Sequence, residues 1–302
     1  MNQKQKYTGI LTAVPTPLNA DLSINVDSLT RHIQNLLDTP TDAIIPLGGT
    51  GEYTSLSFAE RMQVVECSVA AGGGKLPIIP GILSPGIGDA VDNAKAFMSA
   101  GADALMVVTP YYFRPTQQGI LDYYKRFSDE VDSDIILYEI PYRTGVSLHH
   151  DTVAKLAEQT RVVGIKACNP DLAVQMRVAE SSSKKISILS GEEDVLPLHV
   201  AMGAVGAIIS SSNLIPKHWA KVLKLALQGQ LQESIDLHTT LRPLIDLIFS
   251  EPNPAPIKAA LTQQGFAMGE VLAPLKSASQ GLQASIAQLV PAYIERERLL
   301  AL

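Results

Sequence analysis

Eight short, almost continuously apolar segments recur along this chain, each separated from the next by enough residues for one helix. They fall at residues 9–14, 43–47, 76–81, 104–108, 134–139, 162–166, 186–190 and 206–210. Strands buried on both faces have this pattern, because helices cover a parallel sheet on either side. The stretches between them carry helix-boundary signals. Ser57 with Glu60 three residues later forms a capping box opening a helix toward Ala71. Gly101 stands where a glycine closes a helix ending at Ala100, and Asp151 is placed to cap a helix over 152–159. Eight strand–helix units over about 210 residues predict a parallel (β/α)8 barrel, the TIM-barrel class of α/β fold. The competing open sheet uses fewer strands and a glycine-rich first turn, where this chain has Thr16-Pro17-Leu18.

After residue 210 no strand pattern returns. Helical patterning covers 218–228, 230–249, 255–264 and about 278–300. We expect a barrel domain over 1–226 and a C-terminal helical domain over 227–302. The chain has 302 residues, 46% of them hydrophobic, which is enough for such a core.

Charged residues make up 18% and the net charge is −6. A mildly acidic surface has no general attraction for nucleic acid or anionic membrane, so an anionic substrate needs local donors. The two cysteines, Cys67 and Cys168, form no metal or disulfide pattern, which fits a reducing cytosol. Residues 1–8 are polar with no apolar run behind them, and no apolar run reaches membrane-spanning length. The expectation is a cytoplasmic protein.

In such a barrel, chemistry sits where the strands end. Among 14 lysines, Lys166 alone closes an apolar strand segment, Val162-Val163-Gly164-Ile165-Lys166. Alternation places Val162, Gly164 and Lys166 on one face. If that face is the inner one, desolvation lowers the amine pKa and the neutral amine becomes a Schiff-base nucleophile. Alternatively, Lys166 pairs with a loop carboxylate as a structural lysine. Tyr138 ends the preceding strand and is placed either to shuttle protons beside that amine or to bond backbone. Gly48-Gly49-Thr50-Gly51-Glu52 offers converging amides and a hydroxyl for a small carboxylate, or is simply a sharp turn. Arg143 is either a bidentate clamp for a second carboxylate or a surface ion-pair partner. Gly72-Gly73-Gly74-Lys75 lacks the residues of a phosphate loop, and His149-His150 has no further metal-ligand pattern around it. We expect neither a metal nor an organic cofactor.

Taken together, the chain resembles the dihydrodipicolinate synthase / N-acetylneuraminate lyase family of class I aldolases. The resemblance rests on markers spread in order over nearly its whole length. They are Gly9-Ile10-Leu11-Thr12-Ala13-Val14-Pro15-Thr16-Pro17, Gly49-Thr50-Gly51-Glu52, and Val108-Thr109-Pro110-Tyr111-Tyr112-Phe113-Arg114-Pro115. Further on come Tyr138-Glu139-Ile140-Pro141, Gly164-Ile165-Lys166, Ser190-Gly191-Glu192, and Glu251-Pro252-Asn253-Pro254-Ala255-Pro256-Ile257-Lys258. The resemblance implies Lys166 as the Schiff-base lysine, Tyr138 and Tyr112 as proton carriers, and Thr50 with the Gly49 amide as holders of the pyruvate carboxylate. It implies Tyr112 reaching a neighbouring copy's site in a homodimer or homotetramer, Gly191 bordering the lysine, and the Ile208 carbonyl facing it.

The turn Tyr142-Arg143-Thr144-Gly145 is similar to the synthase branch. That implies condensation of pyruvate with aspartate semialdehyde, held by Arg143, and a place in lysine biosynthesis. Three positions depart from that branch. Gly49 stands where the relay has a hydroxyl, Ala167-Cys168-Asn169-Pro170 lacks the acidic residue that usually follows the lysine, and Glu139 replaces an asparagine. Gly49 is closer to the sugar-acid dehydratases. This keeps open a 2-keto-3-deoxy sugar-acid aldolase or dehydratase, and also a barrel that binds a 2-oxo acid without turnover.

Overall fold

The structure, a computed structural model, describes residues 5–301. Half of the polar stretch 1–8 therefore lies outside the described residues. Eight parallel strands alternate with helices: β1 (Gly9–Ala13), β2 (Ala43–Ile45), β3 (Gly81–Ile82), β4 (Leu105–Val108), β5 (Ile135–Glu139), β6 (Val162–Ala167), β7 (Ser187–Ser190) and β8 (Gly206–Ile209). The sheet order is β2-β1-β8-β7-β6-β5-β4-β3. β2 and β3 are brought together by a parallel bridge between Ile44 and Ile78, which leaves the barrel nearly closed. The expected (β/α)8 fold is present.

β3 is shorter than the 76–81 expected. Pro77 and Pro80 interrupt the ladder because proline has no N–H to donate. The segment still pairs at intervals: Ile79 N donates to Ile44 O at 2.9 Å and Gly81 N to Pro46 O at 2.9 Å.

The helices on the barrel are α1 (Val26–Leu37), α2 (Phe58–Gly72), α3 (Ile87–Ser99), α4 (Gln117–Glu130), α5 (Pro141–Thr144), α6 (His150–Gln159), α7 (Leu172–Ser182), α8 (Leu196–Ala201) and α9 (Pro216–Leu227). α2 opens on the Ser57–Glu60 capping box. α3 is followed by Gly101 at φ +99, a left-handed exit that glycine takes without steric cost. α6 begins two residues earlier than expected: His149 is its N-cap, and Asp151 lies inside the first turn rather than capping it. α10 (Leu231–Ile248), α11 (Ala255–Gln263) and α12 (Gln280–Leu299) follow the barrel. α10 packs on α8, α9 and α12.

Alternation along each strand separates two apolar layers. Met106, Val108, Ile136, Tyr138, Leu189 and Ile208 point into the barrel. Leu105, Val107, Ile135, Leu137, Ile165 and Ile188 point out against the helices. A register irregularity at Ile135/Ile136 pairs Ile135 with Val162 and Ile136 with Gly164. This insertion corrects the sequence expectation: Val162 belongs to the outer layer, Val163 packs against the inner one, and only Gly164 and Lys166 keep the inward phase. Among the described residues no helix is long and apolar enough to cross a membrane.

Candidate active site

The register of β4, β5 and β6 sets Val108, Tyr138 and Lys166 side by side at the strand ends. Lys166 is 9% exposed. Its Nζ lies 4.4 Å from the centroid of the Tyr138 ring. Among the described residues Lys166 makes no ion pair. Burial holds its amine below the ordinary lysine value, and Arg143 pushes the same way, while Cys168, Glu192 and Glu193 pull against them. Burial also raises the Tyr138 phenol well above its ordinary value, with Arg143 opposing.

A small chamber of about 50 Å³ encloses this amine, room for a molecule of only a few heavy atoms. Lys166, Tyr138, Thr50 and Gly49 border it, as do Arg143, Gly191 and Ile208. Gly191 is there for space: a Cβ would fall 2.1 Å from Cys168 Sγ and 3.1 Å from Lys166 Cε. An outer cleft of about 430 Å³ shares Gly49, Tyr138, Arg143 and Asn253 with the chamber, so the two adjoin. A volume of that size suits a small organic substrate.

Seven of the eight residues singled out from the sequence thus converge. Tyr112 does not. It is 86% exposed at φ +74, stacked edge-on against Phe113 with centroids 5.3 Å apart, and lies outside both linings. His149, His150 and Asp151 bring their ligand atoms within 4.8 Å of one another at the start of α6, away from the chamber lining.

Several side chains that sequence patterning did not single out complete the site. Asn253, between α10 and α11, donates Nδ2 to Thr50 Oγ1 at 2.9 Å. The Thr50 hydroxyl proton is left to point elsewhere. Tyr142 donates its phenol to Glu192 Oε1 at 3.1 Å, joining the turn after β5 to the turn after β7 across the top of β6. Glu193 accepts from Ser210 N at 2.7 Å and Ser211 N at 3.0 Å, which fixes the β7 and β8 exits together.

Two of the departures from the family pattern meet in one place. Glu139 is the register partner of Ala167, and its carboxylate accepts from Leu148 N at 2.9 Å and Asn169 Nδ2 at 3.1 Å. Through Asn169 the Glu139 carboxylate anchors the turn into α7. Burial raises its pKa.

Residues 6–293 match the dihydrodipicolinate synthetase family. The 4-hydroxy-tetrahydrodipicolinate synthase of Methanothrix thermoacetophila is 33% identical over 281 residues, 93% of this chain and 95% of the relative. The crystal structure of dihydrodipicolinate synthase from Aquifex aeolicus superposes with a TM-score of 0.91 at 30% identity, covering 95% of this chain and 98% of that one. The chloride-inhibited synthase from Acinetobacter baumannii, solved with pyruvate, gives 0.90 at 29% identity over 98% and 100%.

Proposed function

The chain belongs to the dihydrodipicolinate synthetase family of class I aldolases and lyases, and on that premise we propose that it condenses pyruvate with aspartate semialdehyde through a Schiff base on Lys166. The observation that carries this is the state of the lysine: buried, without an ion-pair partner among the described residues, and bordering a small chamber of about 50 Å³. The uncharged amine attacks the keto carbon, and water leaves as the imine forms. Thr50, oriented by Asn253, and the neighbouring amides hold the carboxylate. Tyr138 carries protons between the carbinolamine and the enamine. The protonated imine accepts the electron pair released when a C3 proton leaves. The resulting enamine attacks the aldehyde, and the acceptor's own amine then displaces Lys166 as the ring closes. The relatives' shared name and the pyruvate held by the Acinetobacter enzyme support the choice of substrates.

The exposed Tyr112–Phe113 pair is in our proposal a contact made with a second copy, delivering the Tyr112 phenol to the neighbouring site. Residues 227–302 form in this reading an appendage that supplies Asn253 to the barrel.

Borohydride reduction in the presence of pyruvate tests the proposal: a stable adduct on Lys166 is expected, and its absence would count against the nucleophile. Arg143→Ala is expected to lower kcat/KM for aspartate semialdehyde by about 10²-fold while sparing the pyruvate adduct, since a bidentate charged pair is lost. Equal damage to both would remove Arg143 from the acceptor role. A second reading, favoured by Gly49, has the same lysine acting on 2-keto-3-deoxy sugar acids. Parallel turnover assays separate the two, and an adduct that reacts with no acceptor would indicate a binding protein.

A further inference from the structure

We infer that Glu193 is the built-in counter-charge of the Schiff base: a buried carboxylate with no cation of its own, it lines the chamber of Lys166 and gains a partner only when the imine is protonated. The inference rests on the Lys166 reading above and extends it to a carboxylate that the mechanism so far does not use.

Glu193 lies in the turn after β7 and is 4% exposed. Its Oε1 accepts from Ser210 N at 2.7 Å, Ser211 N at 3.0 Å and Ser210 Oγ at 3.0 Å, and its Oε2 accepts from the Ser211 hydroxyl. That hydroxyl itself accepts from Trp219 Nε1 at 2.7 Å, which turns its own proton toward the carboxylate. Four donors thus converge on one acid, and a proton on it would have to face one of them. Burial raises the Glu193 pKa, and these four bonds oppose that rise by favouring the charged form. A buried anion ordinarily has a cation beside it. Among the described residues Glu193 has none. The adjacent Asp194 takes Arg242. His238 donates Nε2–H to the main-chain carbonyl of Glu193 at 2.7 Å, and His199 is bonded to Ser190. Burial holds both imidazoles below their ordinary pKa, so neither serves as a counter-ion.

The cation that fits is made by the reaction. Lys166 and Glu193 border the same chamber, and the carboxylate pulls the amine toward its charged form. Cys168 on β6 and Glu192 pull the same way, while Arg143 after β5 adds to the effect of burial. A neutral amine and a ketone give a protonated imine by forming the Nζ–C bond, releasing the carbonyl oxygen as water and taking up one proton from solvent. The chamber then holds one more positive charge than before. A carboxylate fixed in advance at its wall stabilises that charge with no reorganisation at the moment of reaction. Pyruvate's carboxylate lies in this reading toward Thr50, after β2, so the imine forms between two anions.

The inference has a pH signature. Below the pKa of the Lys166 amine, an ammonium becomes an iminium, the nitrogen keeps its charge, and Glu193 favours both sides alike. Above it, a neutral amine becomes a cation, and the counter-charge sets how much pyruvate is needed. Glu193→Gln and Glu193→Asp are compared with the parent in thermal unfolding and in the pyruvate concentration for half-maximal borohydride trapping across pH. Glu193→Gln keeps the shape and an acceptor for both amides, so it is expected to melt within about 3 °C of the parent. Its pyruvate requirement should match the parent's at low pH, begin to climb at a lower pH, and stand ~10-fold above the parent's on the alkaline side, the effect of one pKa unit lost by the amine. Glu193→Asp keeps the charge and should follow the parent's profile even where it melts lower. A Glu193→Gln profile that coincides with the parent's, or one raised by the same factor at every pH, would overturn the inference while leaving the Lys166 reading intact. Where Glu193→Gln does not fold, Glu193→Asp decides: the parent's profile supports the counter-charge, and a loss uniform in pH overturns it. Failure of the parent itself to form the pyruvate adduct would remove both readings together.

Discussion

Lys166→Ala is expected to eliminate the borohydride-trapped pyruvate adduct and to lower turnover on the order of 10⁴-fold or more, as loss of a covalent nucleophile does. The fold should survive. The amine is buried with no ion-pair partner among the described residues, so its removal strands no counter-charge. Lys166→Met, which keeps more of the side-chain volume, gives the cleaner stability comparison. The folded-state pKa of Lys166 is lowered from 10.5 by burial. Between that lowered value and 10.5 the unfolded chain binds the extra proton, so parent stability climbs as pH rises through this window. Below the window the parent bears the full cost of the buried amine. Lys166→Met has no such slope, so the parent should gain on it as pH is raised toward 10, as followed by urea midpoints at several pH values. Unchanged trapping in Lys166→Ala would falsify the nucleophile assignment. A flat stability difference across pH would show that the amine is not desolvated in solution.

The barrel could be read from the chain because strands buried on both faces leave an unmistakable apolar spacing, and eight of them leave few alternatives. The same simplicity hid its irregularities. Pro77 and Pro80 fall inside an apolar run and shorten β3 without altering its hydrophobic pattern. The register shift beside Ile135 turns Val162 outward, which no residue type announces. α5 and α8, at 4 and 6 residues, are too short for a periodic signal. Lys166 and Tyr138 drew notice as polar residues ending apolar strands, but position alone left each a structural role, and the family resemblance is what favoured the catalytic reading. Asn253, Tyr142 and Glu192 were not, because each enters the site through a contact made far along the chain or across a strand. Glu139 looked like an isolated substitution until its bond to Asn169 connected it with the altered turn after Lys166.

The loop that carries Gly49 and Thr50 is held from below by a buried ion pair, and breaking that pair should have the largest effect on stability. Lys258 Nζ lies 2.9 Å from Glu52 Oε1, with side-chain exposures of 2% and 1%. Lys258 also donates to the Glu270 carbonyl, and Leu272 N donates to Glu52 Oε2 at 2.6 Å. Burial lowers the Lys258 pKa even against the raising effect of Glu52. Glu52 itself stands at φ +57, a left-handed conformation that costs a non-glycine residue energy and persists only where its surroundings enforce it. Lys258→Met leaves a carboxylate buried without its counter-ion and should destabilise the protein by about 3–5 kcal/mol in denaturant unfolding. Lys258→Met combined with Glu52→Gln removes both charges and keeps an acceptor for Leu272 N, so most of that loss should return. The single variant should also need more pyruvate to reach full trapping, because the loop that presents Thr50 loses one of its ties to the C-terminal segment. A Lys258→Met protein within about 1 kcal/mol of the parent would place the pair among structural contacts that desolvation has already cancelled, and the anchoring of the Thr50 loop would then have to come from Asn253 and from Thr16, whose hydroxyl donates to the Gly51 carbonyl at 2.8 Å.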